Sequence, residues 1–501
     1  MWRPEQYLCE ALRAPVYQVA LQTPLQPMAR LSARLGTQIL LKREDLQPVH
    51  SFKLRGAFAK VTTVSATAVV ASSAGNHAQG VALAAGRLGK QAVIVMPVTA
   101  PAIKVEAVRA LGAEVVLHGL DFDAARRHAL ALARARGLAL VEPFDDPQVI
   151  AGQGTVALEL VKQDSELEAV FVPIGGGGLA AGMAVLLKQL RPGLKVFGVE
   201  AEDSASMTAA LAAGGPVTLD RVGLFADGVA VKRVGDETFR LCRDHLDGIV
   251  TVSGDAVCAA IKDIFDDCRA LAEPAGALAL AGLKQWLSGQ GQRPARVAAV
   301  LSGANMAFHG LRQVAERCDL GEGSEAMLAI RIPEQRGAFL ALCRLLGERM
   351  ISEFNYRRQD ADRARILAGV RLTGGQQERE ALLAQLTEAG LEVLDLSGDE
   401  VAKLHLKYLL GGGAAVAGPE RLLSFSFPEH PRALLHFLET LGSRWDISLF
   451  HYRHDGADRG RVLAGFRIGA DPDFDRHLAA LGYPWRDESH NTPYRAFLRA
   501  N

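Results

Sequence analysis

Ala169 to Leu190 reads AVFVPIGGGGLAAGMAVLLKQL: an apolar strand, four consecutive glycines and an apolar helix. Gly175, Gly176, Gly177 and Gly178 put no side chains into the turn, so backbone N–H groups can close around an anion where the helix opens near Leu179. A phosphate is the natural guest. The loop lacks the Gly-Lys-Ser/Thr ending of a nucleotide P-loop, which argues for a phosphate monoester over a triphosphate with magnesium. Gly175, Gly177 and Ala180 also satisfy a relaxed G-x-G-x-x-A pattern, and Glu200 closes the next strand, KVFGVE, at about the ~20-residue spacing of a dinucleotide fold. An NAD-dependent oxidoreductase is therefore an alternative, though a run of four glycines fits several templates at once.

Upstream, Glu44 to Ala57 reads EDLQPVHSFKLRGA and sets Lys53 between Phe52 and Leu54, with Ser51 and Arg55 close by. An amine attacks an aldehyde only when neutral, and an apolar, partly desolvated position near other cations favours that form. Alone, the segment reads better as a lysine of an amphipathic helix with its head in water. Ala71 to Gly80, ASSAGNHAQG, is a second anion-ready helix start. Its small residues Ser73, Ala74 and Gly75 let backbone donors approach a carboxylate, and Asn76 offers an amide to a phenolic oxygen. His77, with no positioned carboxylate partner, reads as structural before it reads as a general base. In VAAVLSGANMAFHG, Val297 to Gly310, a strand runs into Ser302, a neutral hydroxyl suited to a heteroaromatic nitrogen.

In this order and spacing, the four segments resemble the fold type II pyridoxal phosphate enzymes of the serine/threonine dehydratase family, nearest its biosynthetic threonine ammonia-lyases. SFKLRGA is similar to the cofactor-attachment motif, SAGNHAQG to the substrate loop, GGGGL to the phosphate cup and SGAN to the ring-nitrogen contact. The resemblance implies an α/β catalytic domain of tryptophan synthase β type. It gives Lys53 the Schiff base to pyridoxal 5'-phosphate, with Phe52 flanking the ring, Asn76 at O3', Gly175 to Leu179 on the phosphate and Ser302 at the ring nitrogen. The substrate falls to Ser73, Ala74, Gly75, Asn76 and His77. The implied reaction is dehydrative deamination of threonine, with serine as an alternative substrate, to a 2-oxo acid and ammonia. A neutral Ser302 favours elimination over racemisation, as does Ala74 where racemases of the family carry serine. Racemases also bind a divalent metal after the strand equivalent to KVFGVE; Glu200, Glu202 and Asp203 leave that ligand set incomplete, so no metal is expected. Glu273, in AEPAGALAL, reads as a helix cap as readily as a site residue.

With 501 residues, 49% of them hydrophobic, the chain exceeds a single core. Lysine plus arginine and aspartate plus glutamate both number 56, which leaves no electrostatic case for nucleic acid or anionic membrane. No stretch suits a secretory signal or a membrane span, and the six cysteines form no C-x-x-C; a reduced, cytoplasmic protein is expected. Residues 1–320 form the expected catalytic domain, with a small subdomain of roughly 45–150 nested inside it.

Beyond a polar hinge at Gly321 to Ala326 lies an internal repeat. Ile351-Ser-Glu-Phe-Asn-Tyr-Arg357 recurs as Ile447-Ser-Leu-Phe-His-Tyr-Arg453, and Leu367-Ala-Gly369 as Leu463-Ala-Gly465, at one constant offset. The matched Ala361-Asp362 and Ala457-Asp458 follow the same spacing, and GGGAAVAG from Gly411 separates the copies. Each reads as an α+β unit, 325–405 and 418–501, resembling the paired ACT-like regulatory domains of biosynthetic threonine ammonia-lyases. The resemblance implies branched-chain effectors, isoleucine inhibiting and valine opposing it, and a homotetramer. Phe354, Tyr356, Phe450 and Tyr452 are the candidate effector residues. Simple oligomerisation is the plainer role for such a tail, and a non-catalytic amino-acid sensor is the third overall reading.

Overall fold

The computed structural model describes residues 1–308, 310–333, 338–347, 349–358, 363–399, 401–403, 420–428, 436–442, 445–453, 459–468, 471 and 473–497. The Gly411 to Gly418 break and the repeated pairs 361–362 and 457–458 lie outside them. The chain divides into two compact units, Met1–Phe308 and His309–Asn501. That division precedes the Gly310–Gly321 helix, one helix earlier than the expected end of the catalytic part.

The strands of the first unit are β1 (Leu25–Pro27), β2 (Gln38–Arg43), β3 (Ala68–Ser72), β4 (Gln91–Met96), β5 (Glu114–Leu117), β6 (Ala139–Leu140), β7 (Ala169–Pro173), β8 (Lys195–Ala201), β9 (Gly248–Val252) and β10 (Arg296–Leu301). They form a sheet ordered β1-β2-β10-β7-β8-β9 and a second ordered β5-β4-β3-β6. Apart from β1, every strand runs parallel to its neighbours. Parallel strands need crossover helices, which cover both faces, and the central strands are accordingly apolar without alternation. β7 is buried from end to end, and β10 beyond its first residue. The small sheet is built entirely from chain lying between β2 and β7, so it is an insertion in the larger one.

This order places the chemistry. β2, β10 and β7 are adjacent, and their carboxyl ends lead into the Lys53 segment, Ser302 and the glycine loop respectively. β3, in the small sheet, leads into the Asn76 segment. Ligands of open α/β sheets lie at the carboxyl ends of the strands, and all four motifs stand there.

Close helix packing holds the glycine loop in place. The Gly178–Leu190 helix is buried over ten consecutive residues, Gly178 to Leu187, and lies against the Pro147–Gln163 helix. They meet at paired glycines: a Cβ on Gly182 would stand 2.3 Å from the Ile150 carbonyl oxygen, and one on Gly154 2.9 Å from that of Gly182.

The second unit carries β11 (Glu325–Pro333), β12 (Ile351–Arg358), β13 (Arg363–Arg371), β14 (Glu392–Asp395), β15 (Glu420–Pro428), β16 (Asp446–Arg453), β17 (Arg459–Arg467) and β18 (Trp485–Asp487). Its antiparallel sheets, β12-β13-β11-β14 and β16-β17-β15-β18, have the same order and matching bulges, at Ile351/Glu353 and Ile447/Leu449. Each sheet has its own core. A third cluster joins Met327, Ala329 and Leu367 of one copy to Leu422, Leu463 and Tyr494 of the other. Both copies end alike: Ser397 Oγ accepts from Met327 N and Ser489 Oγ from Leu422 N, each at 3.0 Å. Asn491 Nδ2 donates to Asp399 Oδ2 at 3.0 Å, tying the two endings together.

Gly182→Ala forces backbone apart at the helix crossing and lowers stability by about 1–3 kcal/mol, read from the urea midpoint of the catalytic unit. An unchanged midpoint would contradict the close approach.

Candidate active site

Lys53 is the first residue of the Lys53–Thr63 helix, and the chain leading into it is pinned to the Ser302 turn. Phe52 N donates to Ser302 O at 3.1 Å, Ala304 N to His50 O at 2.9 Å, and Ser51 bridges Gly303. Asn305 Nδ2 donates to Val49 O at 2.8 Å. Two motifs some 250 residues apart thus form one backbone unit. The Asn76–Arg87 helix packs on it through Gly80, where a Cβ would stand 3.2 Å from Lys53 backbone atoms.

The glycine cup follows β7, the strand next to β10. Gly177 has φ +94°, a left-handed conformation that favours glycine. Among the described residues no acceptor is paired with the N–H groups of Gly175, Gly176, Gly177, Gly178 or Leu179, five donors gathered at a helix N-terminus. Neighbours fix the loop from outside. Cβ atoms on Gly176 and Gly178 would stand 2.2 Å and 3.1 Å from Phe144, and Thr238 Oγ1 donates to Gly176 O at 2.7 Å. Asp145 accepts from the N–H groups of Asp236, Glu237 and Thr238, capping the helix that carries Thr238.

Desolvation lowers the Lys53 amine from 10.5 to about 8, opposed by the distant charge of Glu273. Its Nζ donates to the Pro143 carbonyl at 2.9 Å and lies 5.3 Å from the Phe52 ring centre. Among the described residues no carboxylate forms an ion pair with it. Burial raises Glu273 to about 7, with Asp227 adding to the effect. Burial depresses the His77 imidazole to about 3; its Nε2 meets Val141 O at 2.9 Å, so the ring is neutral and structural. Ser302, 4% exposed, donates from Oγ to Ala275 O at 3.3 Å.

A family model for pyridoxal-phosphate dependent enzymes matches residues 16–303, and one for the C-terminal regulatory domain of threonine dehydratase matches 316–406 and 411–498. The biosynthetic L-threonine dehydratases of Salmonella typhimurium and Escherichia coli are 59% and 58% identical over 498 residues, 98% of this chain and 97% of theirs. A solved structure, the processed form of threonine deaminase isoform 2 from Solanum lycopersicum, matches at TM-score 0.62 and 48% identity, covering 63% of this chain and 88% of that one. The chain belongs to the biosynthetic threonine dehydratases.

These enzymes use pyridoxal phosphate, and the residues present fit it. Five unpaired N–H donors suit its phosphate, a desolvated lysine its aldehyde, and a buried hydroxyl its ring nitrogen. The oxidoreductase reading of the glycines falls with the family match. Glu200, which a dinucleotide fold would turn to a ribose, instead accepts from Met207 N, Thr208 N and Thr208 Oγ1 and caps the following helix. Among the described residues no group of three or more His, Cys, Asp or Glu side chains could hold a metal ion.

Other expected residues stand as follows. Leu179 is a core side chain whose contribution is its N–H. Ser73 Oγ accepts from Gly75 N at 3.2 Å, and Gly75 faces open space. Ala74 is half-buried against the small core. Phe450 packs its ring against Phe437, 5.8 Å centre to centre, inside the second regulatory copy. Phe354 and Tyr356 lie on β12 opposite Ala368 and Ile366; their side chains and that of Tyr452 lie outside the described ones. Sequence reading undervalued Glu273. It stands at a helix N-cap position but makes no side-chain cap; its carboxylate accepts from Asn76 Nδ2 at 2.6 Å instead. The one local signal was a glutamate in an otherwise apolar stretch.

Only neutral lysine is nucleophilic, and the neutral fraction grows as pH rises. In cofactor-free protein, covalent labelling of Lys53 by an amine reagent, read by mass spectrometry, should reach half its maximum near pH 8. A lysine in a free model peptide, labelled alongside, should follow the ordinary value near ~10.4. Equal midpoints would contradict the desolvation.

Proposed function

We propose that this chain converts L-threonine to 2-oxobutanoate and ammonia at the Lys53 site, the entry step of isoleucine biosynthesis, and that its repeated tail sets the rate. Water is lost first and ammonia is released by later hydrolysis, so the reaction involves no net redox change. Bound pyridoxal phosphate supplies the electron sink that makes a Cα proton removable. The remaining roles are those of the chain. Lys53, displaced by the substrate amine, would take the Cα proton, and its lowered proton affinity raises the neutral fraction available to do so. Ser73 to His77 bind the substrate carboxylate through backbone donors at the start of the Asn76–Arg87 helix. Gly175 to Leu179 would hold the phosphate, Asn76 would meet O3', Phe52 would flank the ring, and Ser302 would face the ring nitrogen without charging it. The observation that carries the reading is a half-buried, partly desolvated lysine with no acid paired to it among the described residues, held on Pro143 next to the Phe144 that packs against a loop of five unpaired N–H groups.

The tail matches a regulatory domain twice, which implies small-molecule control. Its expected effectors are isoleucine, inhibiting, and valine, opposing it, bound near Phe354, Tyr356, Phe450 and Tyr452, in a homotetramer working in the cytoplasm. No helix among the described residues is long and apolar enough to cross a membrane.

Lys53→Ala should lower ammonia release from threonine by at least ~10²–10⁴-fold, the scale of a lost acid–base group; substantial turnover would overturn the assignment. Ser302→Asp should raise the proton affinity of the ring nitrogen, slow elimination and increase transamination and racemisation. Unchanged elimination with no new products would exclude Ser302 as the nitrogen's partner. A chain truncated after Phe308 should keep turnover and lose an isoleucine response of about 5- to 150-fold. Persistent inhibition would move the effector site into the catalytic unit.

A further inference from the structure

Asn76 is held from both sides by groups that leave its amide one orientation. Asn305 Nδ2 donates to the Val49 carbonyl at 2.8 Å, and a main-chain carbonyl only accepts, so the Asn305 nitrogen faces that way. The same nitrogen stands 2.7 Å from Asn76, so the Asn76 atom that meets it is the oxygen, Oδ1. Asn76 Nδ2 then faces the opposite side, where Glu273 Oε1 accepts from it at 2.6 Å. Turning the amide over would set nitrogen against nitrogen at one end and oxygen against oxygen at the other. Amide orientation is ordinarily inferred from partners; here an acceptor-only carbonyl at the far end settles it, whatever the protonation of Glu273.

The row Val49, Asn305, Asn76, Glu273 crosses four separate stretches of chain. It is packed tightly. A Cβ on Gly303 would stand 2.4 Å from Glu273 Oε1 and 3.2 Å from Asn76 Nδ2, and Glu273 N donates to Gly303 O at 3.2 Å. The carboxylate therefore has little room to swing away. One Asn76 N–H is spent on Glu273 and one remains.

We propose that Glu273 is a positioning residue: by accepting one Asn76 N–H, it fixes that amide so that its second N–H is presented to the phenolic oxygen of pyridoxal phosphate. This rests on the cofactor reading above. It assigns Glu273 an acceptor role, which an amide oxygen can also fill, and not a role that requires its charge.

The test compares purified holoenzyme carrying Glu273→Ala, Glu273→Gln or no change, by the visible absorption band of the bound cofactor and its release rate into buffer. Glu273→Ala lets Asn76 turn, so the band should shift or weaken and release should quicken roughly 2- to 10-fold, the range of one hydrogen bond. Glu273→Gln keeps an acceptor oxygen and should restore both. An unchanged band and release rate in Glu273→Ala would overturn the proposal. So would a Glu273→Gln chain as disturbed as Glu273→Ala, since charge and not acceptance would then be at work. Should Glu273→Ala fail to fold, Asn305→Asp replaces it: an oxygen where the Asn305 nitrogen stood turns Asn76 round, and the same shift is expected, its absence counting against the proposal. A wild-type chain with no visible band at all would sink the cofactor reading itself, a separate result.

Discussion

A partly desolvated lysine stays reactive only while no carboxylate claims it, and the catalytic unit is arranged around that constraint. Two carboxylates packed on its helix belong to a buried cluster that closes on itself. Arg55 donates from Nε and Nη2 to Glu44, both at 2.8 Å, and from Nη1 to Glu159 at 2.6 Å, while Lys42 pairs with the other oxygen of Glu159. Two cations and two anions cancel, and Thr23 and Gln47 donate to the remaining Glu44 positions. Breaking such a set would strand a buried charge at a cost of roughly 3–5 kcal/mol. Arg55 lies two residues beyond Lys53 on the same helix, so the cluster that uses up the carboxylates also fixes the helix bearing the amine. Glu273, whose charge does reach Lys53, accepts instead from Asn76.

From there the sheet order takes over. Because β2, β10 and β7 are neighbours, their carboxyl ends deliver an amine, a hydroxyl and an anion cup to one edge without any long loop. The small sheet, inserted between β2 and β7, brings Asn76 to the same edge. Precision at that edge comes from backbone hydrogen bonds and glycine contacts, features that resist rotamer change.

How much of this was readable in the sequence depended on distance along the chain. The glycine cup, Lys53 and Ser302 announce themselves because the chemistry is local: a glycine run, a flanked lysine, a strand-end hydroxyl. Glu273 does not, because its partner lies 197 residues away and its neighbours describe a helix start. The Arg55 cluster was equally hidden, since its four charges come from four elements and each alone looks like a solvated side chain. In the tail, the constant offset revealed the repeat but missed its matching ends. Asp395-Leu-Ser397-Gly-Asp399 and Asp487-Glu-Ser489-His-Asn491 sit closer together than the rest, so a search at one spacing passes over them. Those ends meet at Asp399 and Asn491, where two aspartates would repel and one amide makes the contact favourable.

The central claim is that Lys53 is the residue that carries pyridoxal phosphate. Borohydride reduction of the holoenzyme followed by peptide mapping tests it most directly, because reduction fixes the cofactor to whichever amine holds it. The account requires one pyridoxyl group per chain, on the peptide containing SFKLRGA, at Lys53. A cofactor fixed to another lysine, or to none, would contradict it.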